Sequence, residues 1–271
     1  MKDNQSSDKR EYLTSYIDTM TFDPKKDCSG LYIGIKCDQS DSCSIDALMK
    51  VFRDKGIPYQ LVIDKTSSSQ HTFYAVLDFT GRSQSRETVE KDLRALIGDK
   101  LISFEYINSD IPGLTCNVKS FPLALDIFGS QTLTTAFTHP FLSYMFRAIY
   151  ETFGAGGLSI IWLSGREAVE SMRPIKNLPL DNRQKMKVAL MQLQILGWGK
   201  FELVEMNDKN CVVRVNENFE CLATAGLKGY QSSFMRGVVT GLASMLTDKK
   251  GNCVEKKCIR NGDPYCEFSV E

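Results

Sequence analysis

Cys253, Glu255, Cys258 and Cys266 crowd the end of the chain, around the turn signal Asn261-Gly262-Asp263-Pro264. Glycine supplies positive φ, and Asn and Asp tolerate it, so the flanking residues are predicted to form a short hairpin. With a hairpin loop of roughly three to five residues, Cys258 and Cys266 come within about one position of facing each other. Two thiols so placed can ligate a metal, oxidise to a disulfide, or be buried as small apolar groups. Spacing leaves all three open. Thiolates suit zinc, which makes Cys253, Cys258 and Cys266 candidates for a zinc clip closing the hairpin, and a structural zinc site needs four ligands in a tetrahedron. On a regular strand, however, Cys253 and Glu255 point to one face and Cys258 to the other. A site using Glu255 with Cys258 needs a bulge or a strand end between them.

Other chemistry finds less support. His71 and His139 are the only histidines, they fall in different regions, and neither has a cysteine or carboxylate at the spacing of a nucleophilic triad. His139, before Pro140, reads as a helix-start residue. Gly154-Ala155-Gly156-Gly157 lacks the Lys-Ser/Thr of a phosphate loop and reads as a helix break. With 33 basic and 33 acidic residues there is no basic footprint, and no helix-turn-helix with a basic recognition helix, so no direct nucleic-acid contact is expected. No long apolar run and no apolar leader is present, so the expectation is a cytoplasmic chain with no membrane span. Its nine cysteines are an odd number in a reducing compartment, which weakens a disulfide framework.

The elements that must position the tail follow from periodicity. With 42% hydrophobic and 24% charged residues over 271 positions, the chain can bury the cores of two ordinary domains. Residues 1–28 are a polar extension with an amphipathic piece (Tyr12, Leu13, Tyr16, Ile17, Met20), read as a docking helix. Over 29–113, alternation at Leu31/Ile33/Ile35, Tyr59/Leu61/Ile63, Phe73/Ala75/Leu77/Phe79 and Ile102/Phe104/Tyr106 marks strands. Helical faces at Ile45/Leu48/Met49/Phe52 and Val89/Leu93/Leu96/Ile97 interleave with them, predicting a βαββαβ ferredoxin-like sandwich. Its order and length resemble the ACT family of regulatory modules, without that family's usual glycine in the first strand-to-helix loop (Asp38 to Ser44). Asn108-Ser109-Asp110-Ile111-Pro112-Gly113 is the expected boundary.

Residues 114–271 form the second expected domain. Phe121 to Phe128 reads as helical. His139-Pro140 starts a helix with stripe Leu142/Phe146/Ile149/Tyr150/Phe153, stopped at Gly154. The run Leu158 to Met172 follows, then a capping box at Asp181 and Gln184 and a face at Met186/Ala189/Leu190/Leu193/Leu196. Strands are expected at 200–206 and 211–215, and a helix from about Lys228 to Leu246. Gly237 and Gly241, four apart on one side, predict close helix–helix packing. Aromatic stripes at helical spacing are most often core. The fold class is therefore α+β, the second domain being helices around a short antiparallel sheet.

Glu255-x2-Cys258 with Asn261-Gly262-Asp263-Pro264-Tyr265-Cys266-x-Phe268 resembles the C-terminal signature of 4-vinyl reductase domains, and Gly165-Arg166-Glu167 resembles their mid-domain Gly-Arg-Glu. These are small-molecule sensing domains of archaeal and bacterial regulators, related to small subunits of the TRAPP vesicle-tethering complex. The resemblance implies zinc at Glu255, Cys258 and Cys266. The family's fourth ligand, a helix cysteine, aligns with Ser232, so Cys253 or Cys221 would have to substitute. It also implies an apolar pocket, for which Trp162, Trp198, Phe146, Tyr150, Phe153, Phe234 and Met235 are candidates. The function it implies is a non-enzymatic, dimeric sensor of a small hydrophobic or aromatic molecule, with a possible protein partner. A TRAPP-like assembly subunit holding a lipid or nothing is the alternative, and an enzyme's accessory subunit the third.

Overall fold

A computed structural model describes residues 20–36, 43–66, 70–107, 111–116, 124–127, 130–207 and 210–271. Tyr12 to Ile17, the loop Asp38 to Ser42, and Asn108 to Asp110 of the expected boundary lie outside the described residues. The chain divides into two compact units, Met1–Thr134 and Thr135–Glu271.

The first unit contains β1 (Met20–Phe22), β2 (Cys28–Lys36), α1 (Cys43–Asp54), β3 (Tyr59–Thr66), β4 (Gln70–Asp78), α2 (Arg86–Ile97), β5 (Leu101–Ile107), β6 (Leu114–Cys116), β7 (Ala124–Ile127) and β8 (Ser130–Leu133). Strands β3-β4-β2-β5 form an antiparallel sheet in that order, the split-βαβ arrangement that the alternation predicts. Registers Leu31↔Ala75 and Ile33↔Phe73 put these side chains on one face, where Leu48 and Phe52 of α1 and Val89 and Leu93 of α2 bury them. Ser85 starts α2 by accepting the Thr88 N–H. One reading needs correcting: the segment from Phe121 to Phe128 is not helical where described, because Ala124–Ile127 pairs with Ser130–Leu133 as a hairpin. Leu125 and Ile127 also fit a period of two, and a run so short does not separate the two periods.

The second unit contains α3 (His139–Phe153), α4 (Ala155–Ala168), α5 (Asn182–Ile195), β9 (Lys200–Met206), β10 (Cys211–Asn216), α6 (Phe219–Ala223), α7 (Ser233–Thr247), β11 (Cys253–Lys257) and β12 (Cys266–Val270). Thr138 caps α3 by accepting the Phe141 N–H, with His139 as its first residue. Gly154, at φ 55, breaks the chain between α3 and α4, a conformation L side chains resist. The Asp181–Gln184 capping box starts α5, whose Met186, Ala189, Leu190 and Leu193 are buried. The sheet order is β11-β12-β10-β9, all antiparallel. Val213, Val215 and Phe268 from the sheet join Val238 and Leu242 of α7 in one core. Helices α4 and α7 approach through glycines. A Cβ on Gly237 would collide with the Trp162 carbonyl, one on Gly165 with the Phe234 carbonyl, and one on Gly241 with the Arg166 carbonyl.

Candidate metal and ligand site

The tail hairpin builds half of the site. Strands β11 and β12 pair with Cys253↔Val270 and Glu255↔Phe268, and the register then slips between Glu255 and Lys257. Cys258 falls just past the end of β11, so the bulge and the strand end together turn its sulfur to the side that Glu255 serves. The chain crosses to β12 through a short turn in which Gly262 adopts φ 92. The Cys258 N–H donates to Asp263 Oδ2 at 2.9 Å, fixing the loop.

The other half comes from α6 and the start of α7. Ligand atoms of Cys221, Glu255, Cys258 and Cys266 all lie within 4.8 Å of one another. Cys221 Sγ stands 3.6 Å from both Cys258 Sγ and Cys266 Sγ. A tetrahedron with Zn–S bonds of about 2.3 Å has edges of about 3.8 Å, so this spacing fits a shared ion. It is far longer than the roughly 2.05 Å of a disulfide, and the cysteines of the cluster are free. Cys253 is not part of the cluster. It is buried, hydrogen-bonded to Thr240 and near Cys211 and Arg236.

Hydrogen bonds orient the donors. Asn218, fully buried, donates Nδ2 to Cys221 Sγ at 3.4 Å and to Cys266 Sγ at 3.6 Å. Ser232 Oγ donates to Glu255 Oε1 at 2.7 Å and lies 3.0 Å from Cys221 Sγ. Ser232, at the start of α7, thus holds the carboxylate, and the third sulfur arrives from α6. Hydrogen bonds from Cys221, and then Cys266, hold the Cys258 thiol well below the usual thiol range. Cys221 is pushed far up, first by its bond to Cys258. Cys266 is lowered by Cys221 but raised more by Cys258 and burial, and ends at about 12. Burial pushes Glu255 up to about 7 against the Ser232 hydrogen bond. A bound cation would favour the charged form of all four donors.

An aromatic cluster adjoins the donors. Trp198 lies 5.4 Å from both Phe219 and Phe234, centroid to centroid, and Phe219 lies 5.8 Å from Phe234. Phe146 contacts Phe219, Phe234 and Tyr230, and Tyr150 meets Tyr230 edge-on at 5.5 Å. Of the sequence candidates, Phe146, Tyr150, Trp198 and Phe234 come together. Trp162 stands in a different contact, with the Arg166 guanidinium 5.0 Å above its ring. Met235 is fully buried in the core of this unit, and Phe153, at the end of α3, is exposed. Phe219, Tyr230, Asn218 and Glu220 were not singled out from sequence. Asn218, Phe219 and Glu220 sit at the start of a helix of 5 residues, too short to show a period, and Tyr230 lies in the segment between α6 and α7. Glu220 is fully buried, accepting from Tyr230 Oη at 2.8 Å and from the Phe234 and Met235 N–H groups at 2.9 and 2.8 Å. Burial pushes it up to about 7, opposed by those three donors.

The family model of the 4-vinyl reductase domain matches residues 211–271, the segment that holds β10, α6, α7, the hairpin and all four donors. This is the family whose tail signature residues 255–268 resemble. No curated protein matches the chain. One similar structure is the phenol-responsive sensory domain of the transcription activator PoxR with phenol, 16% identical, covering 54% of this chain and 83% of that one, with a TM-score of 0.44. A second is a vinyl-4-reductase family protein from Methanocaldococcus jannaschii, 15% identical over 51% and 83% of the two chains, TM-score 0.38. A third is trafficking protein particle complex subunit 3 from Naegleria fowleri, covalently bound to palmitic acid, 13% identical over 49% and 93%, TM-score 0.37. Among the described residues no helix is long and apolar enough to cross a membrane.

Proposed function

We propose that the second unit binds a small hydrophobic or aromatic molecule among Phe146, Trp198, Phe219, Tyr230 and Phe234, and that the chain is a non-enzymatic sensor rather than a catalyst. The observation that carries this reading is the aromatic cluster packed beside the donor cluster, with Phe219, Tyr230 and Phe234 inside the segment that matches the family model. Binding would draw on burial of apolar ligand surface against these rings. Signalling then requires that the ligand favour one conformation of the unit over another.

The same reading places a structural zinc ion on Cys221, Glu255, Cys258 and Cys266. Four protein donors complete a tetrahedron and leave no open position for a substrate, which suits a clip and not a reaction centre. Its role would be to tie α6 to the tail hairpin. Removing the Ser232 hydroxyl tests the support of Glu255: Ser232→Ala is expected to weaken zinc about tenfold, measured by competition with a chromophoric chelator.

Calorimetric titration of the zinc-loaded full chain with phenol tests the sensor reading. Saturable heat is expected, with affinity about tenfold lower in Phe234→Leu, which keeps apolar volume and loses the ring contacts. No heat, together with an acyl chain released from the purified protein on denaturation, would instead support an assembly subunit. For that second reading, and for a homodimer, the exposed Phe141, Tyr144 and Met145 of α3 and Ile160 and Leu163 of α4 offer an apolar surface.

A further inference from the structure

We propose that α6 couples the two clusters, so that zinc binding sets the packing of the aromatic rings and a ligand among those rings changes the affinity for zinc. This rests on the ligand and zinc readings above. It comes from what successive residues of one short helix touch.

Asn218 caps α6, with its Oδ1 accepting the Glu220 N–H at 3.2 Å and its Nδ2 donating to two of the sulfurs. Phe219 lies in the aromatic cluster, and its N–H donates to the Trp198 carbonyl at 3.1 Å. Glu220 binds the first turn of α7 through two backbone N–H groups, one of them on Phe234 of the aromatic cluster. Cys221 supplies the sulfur that stands 3.6 Å from both hairpin cysteines. All four residues are buried. A helix of 5 residues has no spare turn in which to absorb a displacement. Holding Cys221 on an ion therefore holds Phe219 against Trp198 and Phe234, and the Glu220 bonds carry the same constraint to the start of α7. By linkage, a ligand that prefers the zinc-ordered ring arrangement tightens zinc by the factor by which zinc tightens the ligand.

The chain has two tryptophans, and Trp198 is the one that packs on Phe219. Trp162→Phe in the full chain leaves Trp198 as the sole emitter. Zinc titrated into the chelator-stripped variant should change Trp198 emission and saturate with stoichiometric metal, while native mass spectrometry follows zinc uptake in parallel. Glu220→Gln in that background should still take up zinc but lose half or more of the emission response. Saturating phenol should tighten zinc by about fivefold or more. Zinc uptake with unchanged Trp198 emission and unchanged affinity in phenol would overturn the coupling and leave the zinc site standing. Absence of zinc uptake would overturn the zinc reading, and the coupling with it.

Discussion

Replacing Cys258 with serine is expected to strip zinc from the chain. Cys258 stands at the centre of the donor set, its sulfur 3.6 Å from Cys221 Sγ and its ligand atom within 4.8 Å of those of Glu255 and Cys266. A serine hydroxyl ionises far above neutral pH and is a poor zinc ligand. Affinity should fall by at least about a hundredfold, since even outer-shell losses cost roughly 10- to 100-fold. Structural zinc contributes on the order of 10 kcal/mol where folding depends on it, so the second unit should also melt at a lower temperature. Metal analysis of the purified variant, paired with a thermal melt, measures both. Cys253→Ser provides the contrast, because Cys253 lies outside the donor cluster: it should keep its zinc. Full zinc content in Cys258→Ser with an unchanged melt would remove Cys258 from the site.

The second large effect is expected at Gly237→Ala. In an exposed helix the change would favour folding by roughly 1 kcal/mol, through lower backbone entropy in the unfolded chain. Here the new methyl meets the Trp162 carbonyl and the Arg166 backbone nitrogen of α4, neither of which can swing aside as a side-chain tip can. Overpacking of this kind costs about 1–3 kcal/mol and more when backbones must separate, so the clash outweighs the propensity gain. With Gly165 and Gly241 in the same seam, no neighbouring slack absorbs the shift. A loss of about 3 kcal/mol should lower the melting temperature by roughly 10 °C. A melt within error of the parent would mean that α4 and α7 do not pack through this seam.

Much of the scaffold could be read from the sequence, because half-buried strands and amphipathic helices print their period on it. Leu31/Ile33/Ile35 and Phe73/Ala75/Leu77 alternate because one face of β2 and β4 is covered by α1 and α2. Gly154 and the Asp181–Gln184 box mark helix ends by local chemistry that needs no tertiary context. The run through Ala124–Ile127 misled, since its apolar residues suit either period and its pairing with Ser130–Leu133 decides the conformation. At the donor cluster, alternation on β11 shows that Glu255 and Cys258 need a break between them, and the slip after Glu255 supplies it. What could not be read is the choice between Cys253 and Cys221 as the remaining donor. Cys221 lies 37 residues before Cys258, on a helix too short for periodicity, and no local rule ranks it above the nearer Cys253. The same shortness hides Glu220, whose role depends on the start of α7 folding back onto it.

Zinc K-edge X-ray absorption on the full chain, purified without added metal, tests the centre of this account. Three sulfurs at about 2.3 Å and one oxygen at about 2.0 Å are predicted, matching Cys221, Cys258, Cys266 and Glu255. Four sulfurs would bring Cys253 in at the expense of Glu255. A zinc-free protein, or a first shell with fewer than three sulfurs, would contradict the proposed site.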